Sequence, residues 1–331
     1  MRKLLFVVST AVLVAATLAG CSSPDSSPTS GSGDSPEGKT LTLAHESPWN
    51  IEGTPMEFAV EKLKEDGYNV EVTYFDTPEA LSQAVASGEV DAGVTSAGTV
   101  FSAIDAGAPL KNFLGLSRPN YVMVAKKDLD TCESLEGKRL AIHSQEGTTG
   151  TLTDKWLSEV CPDTKPDIFV LPGSENRIAG LIADQVDASP VDVISSMLLI
   201  DQYPDDFGLI DGYGDPDVMA DYLFGNTDFL ANEPEMAQDL VDAYMVGFDK
   251  VNSDPEAAED LAVSLLPDLD PDIVREAVKY WIDEGMWSPV DGMDDDVVQS
   301  TIDLYALTTP YTNVKKPADV IDDQFMNSVN G

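Results

Sequence analysis

The stretch Ala141 to Gly150, AIHSQEGTTG, is a short apolar run that stops at a histidine and a serine and then turns through Gly-Thr-Thr-Gly into a helix-competent segment. A strand, a turn and a helix in that order aim the unpaired N–H groups of the first helical turn, and the positive end of the helix dipole, at whatever lies beyond the strand end. This predicts a pocket for a small polar or anionic molecule.

Upstream, Ala44 to Thr54 (AHESPWNIEGT) nearly repeats the pattern: it closes the strand Leu41 to Ala44 with a histidine and meets Glu-Gly-Thr before an amphipathic helix carrying Phe58 and Leu63. The echo continues downstream. After His45 come a strand (Val70 to Phe75), a helix begun near Thr77, and Gly88-Glu89-Val90-Asp91-Ala92. After His143 come Ile168 to Leu171, a helix begun near Ser174, and Asp184-Gln185-Val186-Asp187-Ala188. Two matching βαβαβ units are expected. Open parallel sheets bind ligands beyond the carboxyl ends of their strands, so two facing units make one cleft with two walls.

The chain of 331 residues is long enough for two lobes with separate cores. Residues 1–20 read as a secretory signal: Arg2 and Lys3 precede an apolar run from Leu4 to Leu18 that is too short and wrongly flanked for a membrane span. The run closes in Leu18-Ala19-Gly20-Cys21, which resembles the bacterial lipobox. That resemblance implies cleavage before Cys21, lipid on its sulfur, and an extracytoplasmic body anchored to the cell membrane. Ser22 to Gly38 holds only Ser, Pro, Gly, Thr, Asp and Glu. Such a composition buries nothing, so residues 21–39 are expected to form a disordered tether with a reach of about 20 to 25 Å.

The other two cysteines, Cys132 and Cys161, form an even pair in an oxidising compartment and read as a disulfide. The formal net charge is −40, with 59 Asp and Glu against 19 Lys and Arg. This argues against a nucleic-acid partner and against adhesion to an anionic membrane surface, and fits a heavily hydrated surface in salty surroundings. Asp291-Gly292-Met293-Asp294-Asp295-Asp296 is the one acidic cluster at loop spacing, and it lacks the rest of an EF-hand. No metal or cofactor is expected.

Lobe one is expected over residues 40–125 and 222–331, and lobe two over 126–221, with two crossovers that act as a hinge. Val90 to Thr95 forms lobe one's third strand, ending in Thr95-Ser96-Ala97-Gly98, where small residues let a ligand approach the backbone. Tyr121 to Ala125 and Tyr222 to Phe229 are strand-like runs at the crossovers. Lobe two rests on Arg139 to Ile142, Ile168 to Leu171 and Val186 to Ala188. From Asn232 the pattern is helical: Asn232-Glu233-Pro234, Ser253-Asp254-Pro255 and Asp270-Pro271 set a capping residue near a proline before apolar i, i+3, i+4 repeats. Helices are expected near 234–251, 255–265, 271–284 and 294–307, buttressing lobe one. Tyr280, Trp281 and Trp287 belong in the core.

Four pieces carry a family resemblance: Ala80 to Gly93 (ALSQAVASGEVDAG), Ser134 to Gly150 (SLEGKRLAIHSQEGTTG), Gly173 to Ala188 (GSENRIAGLIADQVDA) and Glu284-Gly285-Met286-Trp287. In this order, behind a lipobox, the body resembles the substrate-binding proteins of ABC importers with the type II periplasmic-binding fold. Its branch holds the nitrate, sulfonate and taurine binders and the NMT1/THI5-like thiamine-precursor binders. The resemblance implies a two-lobed α/β monomer that captures a solute and delivers it to permease subunits driven by a separate ATPase. Carried across, ligand positions fall at Ser47, Trp49, Thr77, Thr95, Ser96, Gly147, Thr148, Thr149, Ser174 and Asp192. Thr77, Thr148, Thr149 and Ser174 also suit helix capping, and Trp49 suits stacking on a planar ligand.

Tyr121, near the crossover, joins this set, as do His45 and His143, the only two histidines, both at strand ends. Arg118 and Arg177 suit an anion such as a sulfonate, carboxylate or nitrate. Glu46, Glu52, Asp76 and Asp192 suit an aminopyrimidine or another donor-rich ligand. The residues leave both readings open. An enzyme of the pyrimidine-synthase kind on the same fold, or a receptor lipoprotein that presents its cleft to a protein, are the competing functions; no Ser-His-Asp spacing or nucleotide loop supports catalysis.

Overall fold

A computed structural model describes residues 36–328, apart from 37, 47, 48, 146, 215, 216, 288 and 290. The signal segment, Cys21, most of the tether and Ser47 lie outside the described residues. In chain order the elements are β1 (Thr40–Glu46), α1 (Thr54–Glu65), β2 (Asn69–Phe75), α2 (Pro78–Ser87), β3 (Ala92–Ser96), α3 (Ala97–Asp105), β4 (Leu110–Ser117), β5 (Tyr121–Lys126) and β6 (Arg139–Ile142). There follow α4 (Thr148–Val160), β7 (Asp167–Val170), α5 (Ser174–Ile182), β8 (Ala188–Asp192), α6 (Val193–Gln202), β9 (Phe207–Ile210) and β10 (Asp221–Asn226). The chain then continues in α7 (Thr227–Asn232), α8 (Pro234–Ser253), α9 (Pro255–Leu265), α10 (Pro271–Asp283), α11 (Asp295–Ala306) and α12 (Pro317–Val320).

Local chemistry sets the helix boundaries. The Thr77 hydroxyl accepts from the Ala80 N–H, Pro78 opens α2, and Gly88 closes it at φ 74°, where a side chain would be strained. Asp254 before Pro255 and Asp270 before Pro271 cap α9 and α10 in the same way, accepting from the N–H groups of Ala257 and Asp272. Along α8, Met236, Leu240, Tyr244, Phe248 and Val251 recur on one face and are buried. Each such side chain contributes about 1.5–3 kcal/mol on burial. Gly247 lets α8 meet α1, because a Cβ there would lie 2.2 Å from the Pro55 carbonyl oxygen.

The strands form two five-stranded sheets of one plan. The first runs β2-β1-β3-β10-β4, with β10 antiparallel between β3 and β4. The second runs β7-β6-β8-β5-β9, with β5 antiparallel between β8 and β9. The sequence repeat has a structural cause. In lobe one Asp91 Oδ2 accepts from the Thr42 backbone N–H at 2.8 Å, and in lobe two Asp187 Oδ2 accepts from the Arg139 N–H at 2.9 Å. Each Val-Asp-Ala thus clamps the first strand of its unit to the third. By this register Glu46, not His45, corresponds to His143.

Two expectations change. β5 belongs to the second sheet, so the first crossover lies at residues 118–120 rather than at 125, and lobe two begins at Tyr121. Tyr222 to Phe229 is not one strand: β10 ends at Asn226, whose side chain accepts from the Asp228 N–H and starts α7. The C-terminal helices do more than cover lobe one. While α8 packs along α1, α10 also meets α6 and α11 meets α4, both in lobe two. Cys132 and Cys161 are bonded, with Cα atoms 6.0 Å apart, tying the segment before β6 to the end of α4.

Candidate functional site

Two cavities lie between the lobes and a third lies within lobe one, each sharing walls with the next. An outer one of about 760 Å³ is lined by hydroxyls, among them Ser82, Ser96, Thr99 and Ser102 of lobe one and Ser144 and Thr148 of lobe two. An inner cleft of about 420 Å³ shares Ser96 and Thr148 with it and adds Glu46, Glu52, Tyr121, Asp192 and Asp221. Beneath that, a chamber of about 80 Å³ shares Glu46, Glu52 and Asp221 and reaches into lobe one toward His45, Tyr244 and Trp287. The carboxyl ends of β1, β3 and β8 and the start of α4 all contribute, as do both crossovers.

The electrostatics are one-sided. Each carboxylate at the floor holds one local donor: Thr95 Oγ1 donates to Glu46, Asn50 Nδ2 to Glu52 at 3.0 Å, and Ser117 Oγ to Asp221 at 2.8 Å. Burial pushes the Asp221 carboxyl up to about 7; the Ser117 hydrogen bond opposes this and Glu46 adds to it. Burial, then the neighbouring Asp221, also raises Glu52 well above the ordinary carboxylate range. Tyr121 is raised by burial and by Glu52 and Asp192. No lysine or arginine lines any of the three cavities among the described residues. Arg177 is turned inward, donating to the Pro190 and Leu171 carbonyls and to Ser174 Oγ. Arg118 faces Asp291 at 3.7 Å.

Residues 55–258 match the family described as NMT1/THI5 like. The chain belongs to this family. No protein of curated function matches it by sequence. Among solved structures, a putative periplasmic sulfonate-binding protein from Methylobacillus flagellatus KT superposes with a TM-score of 0.69 at 17% identity, covering 88% of this chain and 94% of that one. A zinc-bound ligand-binding component of an ABC-type import system from Staphylococcus aureus gives 0.67 at 14% identity, covering 87% and 97%. The alkanesulfonate-binding protein of Xanthomonas axonopodis pv. citri, bound to MOPS, gives 0.63 at 16%, covering 86% and 98%. These likenesses establish the type II periplasmic-binding fold. Among the described residues no group of three or more His, Cys, Asp or Glu is disposed to hold a metal ion.

In this NMT1/THI5-like chain several expected site residues reach the cavities. Ser96 and Thr148 line the outer and inner ones, Gly147 the outer, Tyr121 and Asp192 the inner, and His45 and Thr95 the small chamber. Asp192 also caps α6 through the Ser195 N–H. Thr148 Oγ1 lies 3.2 Å from the Tyr305 hydroxyl.

Others lie elsewhere and line none of the three cavities. Thr77 is the exposed cap of α2, and Asp76 beside it is exposed. Thr149 is buried, its hydroxyl accepting from the His143 N–H, and Ser174 accepts from Arg177. Trp49 packs against the lobe-one core, with its indole N–H buried and unpaired among the described residues. The histidines do not meet: His45 Nδ1–H donates to the Glu46 carbonyl, whereas His143 is exposed in lobe two and accepts from the Gly173 N–H.

Sequence reasoning missed Asn50, Asn120, Asp221 and Tyr244. It placed Trp281 and Trp287 in the core, where they are, at 2% and 7% exposure; they are cavity walls as well. The signal available for Asp221 was its position at the start of the returning strand.

Proposed function

We propose that this chain is the extracytoplasmic solute-binding component of an ABC importer, closing its two lobes on a small organic solute and presenting it to permease subunits. The observation that carries this reading is the set of joined cavities at the carboxyl ends of the strands of both matched units, which is where open α/β sheets receive ligands. Membership of the NMT1/THI5-like family and the fold shared with importer components support it. Among the described residues no helix is long and apolar enough to cross a membrane; the lipobox-like Leu18 to Cys21 supplies the anchor in this reading, and the body acts as a monomer. A binding role fits better than catalysis, because both cysteines of the body are spent in the disulfide.

Between the two solute classes the lining favours the donor-rich one. Four carboxyl groups face the inner cleft and neither candidate arginine does, so a sulfonate, carboxylate or nitrate would find no cationic partner there, whereas an aminopyrimidine would find acceptors. The test is a thermal-shift screen against sulfonates, aromatic carboxylates, nitrate, amines and aminopyrimidines. A ligand at 100 times its dissociation constant adds about 2.7 kcal/mol, enough to move the melt by degrees. A shift with one class establishes a solute receptor; no shift with any class, together with capture of a protein by the cleft, would overturn the reading in favour of a protein receptor.

A further inference from the structure

Resting on the solute-receptor reading, we infer that Tyr305 is a positioning residue for solute capture: its hydroxyl latches Thr148 of lobe two, and lobe two turns on an apolar bearing made by Leu152, Val218 and Leu304. Thr148 stands where the cavities meet. The outer cavity and the inner cleft have two lining residues in common, Ser96 before α3 in lobe one and Thr148 at the start of α4 in lobe two. A solute that moves from the first cavity to the second passes between the lobes at this pair. Thr148 Oγ1 lies 3.2 Å from the hydroxyl of Tyr305, on α11 of lobe one, and either group can donate. The tyrosine is a fixed post. It is 4% exposed, and its ring lies so close over Gly98 that a Cβ there would fall 2.6 Å from it. One turn further along both helices, the Thr151 and Thr308 hydroxyls stand 3.3 Å apart.

Beside these hydroxyls the same seam is apolar. Leu152 of α4, Leu304 of α11 and Val218 of the second crossover form one cluster at 2%, 3% and 0% exposure, and Tyr121 and Tyr213 pack against it. The helix α11 also holds the second crossover directly, since Thr301 Oγ1 accepts from the Met219 N–H at 3.0 Å. The two parts of the seam respond differently when the lobes part. Separating the cluster would give three buried apolar side chains to water, so it stays together and lobe two turns about it. A hydroxyl pair exchanges its hydrogen bond for bonds to water, so it opens and remakes at small net cost. Turning lobe two away therefore parts Thr148 from Tyr305 and widens the passage beside Ser96. Turning it back closes that passage behind the solute.

The test needs no solute. Spin labels on Glu79→Cys in α2 and Glu175→Cys in α5, exposed positions in lobe one and lobe two, report the separation of the lobes by pulsed dipolar spectroscopy. Cys21→Ser leaves these two as the reactive thiols, because Cys132 and Cys161 are bonded to each other. Tyr305→Phe removes the hydroxyl and keeps the ring on Gly98. Loss of one hydrogen bond of ordinary net strength should raise the ratio of long to short separations about 2- to 10-fold. Thr148→Val should do the same, and the two together no more than either alone. Leu304→Ala should broaden the distribution of separations, and Leu304→Val takes its place if the alanine variant does not fold. Separations in Tyr305→Phe that superimpose on those of the parent, or shifts that add in the double variant, would overturn the latch. An unchanged width in the Leu304 variant would overturn the bearing. Either failure leaves the receptor reading to the thermal-shift screen, which reads solute binding and not lobe position.

Discussion

Asp221→Asn in the ligand-free protein is expected to stabilise it, by an amount that grows with pH. In the folded chain Asp221 titrates near 7 because burial, aided by Glu46, disfavours its charge; in the unfolded chain it titrates near 3.8. A carboxyl whose pKa is raised on folding is held protonated by the folded state between those two values. The unfolded state has then already released its proton, so wild-type stability falls as pH rises through the window and levels off above about 7. Asparagine does not titrate. From pH 5 to pH 7 only the folded state holds the proton, and at 1.36 kcal/mol per unit the variant's advantage would widen by up to about 2.7 kcal/mol. Partial exposure of the site and sharing of the proton with Glu52 reduce the expected change to about 2 kcal/mol. Urea unfolding of both proteins at pH 5 and pH 8, with m-values compared, measures this directly. Any change in the Ser117 hydrogen bond enters at both pH values and cancels in the difference. An advantage that stays flat with pH, or narrows toward pH 8, would refute the assignment of Asp221 as a buried acid at the hinge.

Replacing Cys132 and Cys161 together by alanine should lower stability by about 3.5 kcal/mol in the chain-entropy estimate for a loop closed by residues 29 apart; denaturant titration checks it, and a loss under 1 kcal/mol would show the bond to be dispensable. Gly247→Ala should cost about 2–4 kcal/mol despite alanine's better helix propensity, because the new methyl carbon lies 2.2 Å from the Pro55 oxygen in a backbone that cannot yield. A neutral or stabilised variant would mean that α1 and α8 slide apart freely. Small-angle scattering with and without a solute found in the screen should show compaction; an unchanged profile at saturation would rule out lobe closure.

The repeat was legible in the sequence because its chemistry is local and occurs twice. The two Val-Asp-Ala runs, the capping residues before Pro78, Pro255 and Pro271, and the apolar spacing of α8 each state their structure within a few residues. β4 (LKNFLGLS) left no trace, since it is buried along nearly its whole length and lacks the alternation that marks a half-exposed strand. β9 has four residues, too few for any period. The sign of the cleft was undecidable for a different reason. Whether Arg177 faced a ligand or the interior depended on where the Pro190 and Leu171 carbonyls fell, and Asp221 stands out among 59 acids only by its place at the start of the returning strand, which the sequence reading began one residue later. The one-residue slip between the two histidines was likewise invisible, although in an extended chain one residue changes the face.

The position of β10 dictates an order of assembly. Lobe one's sheet places this strand between β3 and β4, yet more than a hundred residues separate Ser117 from Asp221, which are direct register partners across β4 and β10. As the polypeptide emerges amino end first, four strands of lobe one are complete, but only β2, β1 and β3 can pair; β4 cannot join them, because the place between β3 and β4 is still empty. All of lobe two must be made, and can fold on its own clamp, before the strand that fills the gap arrives. The nascent chain therefore exposes the unpaired edges of β3 and β4 throughout that interval, a window for aggregation or for a chaperone. Moving the break in the chain, by joining the termini and reopening them between β9 and β10, within residues 211–220, would let lobe one finish first.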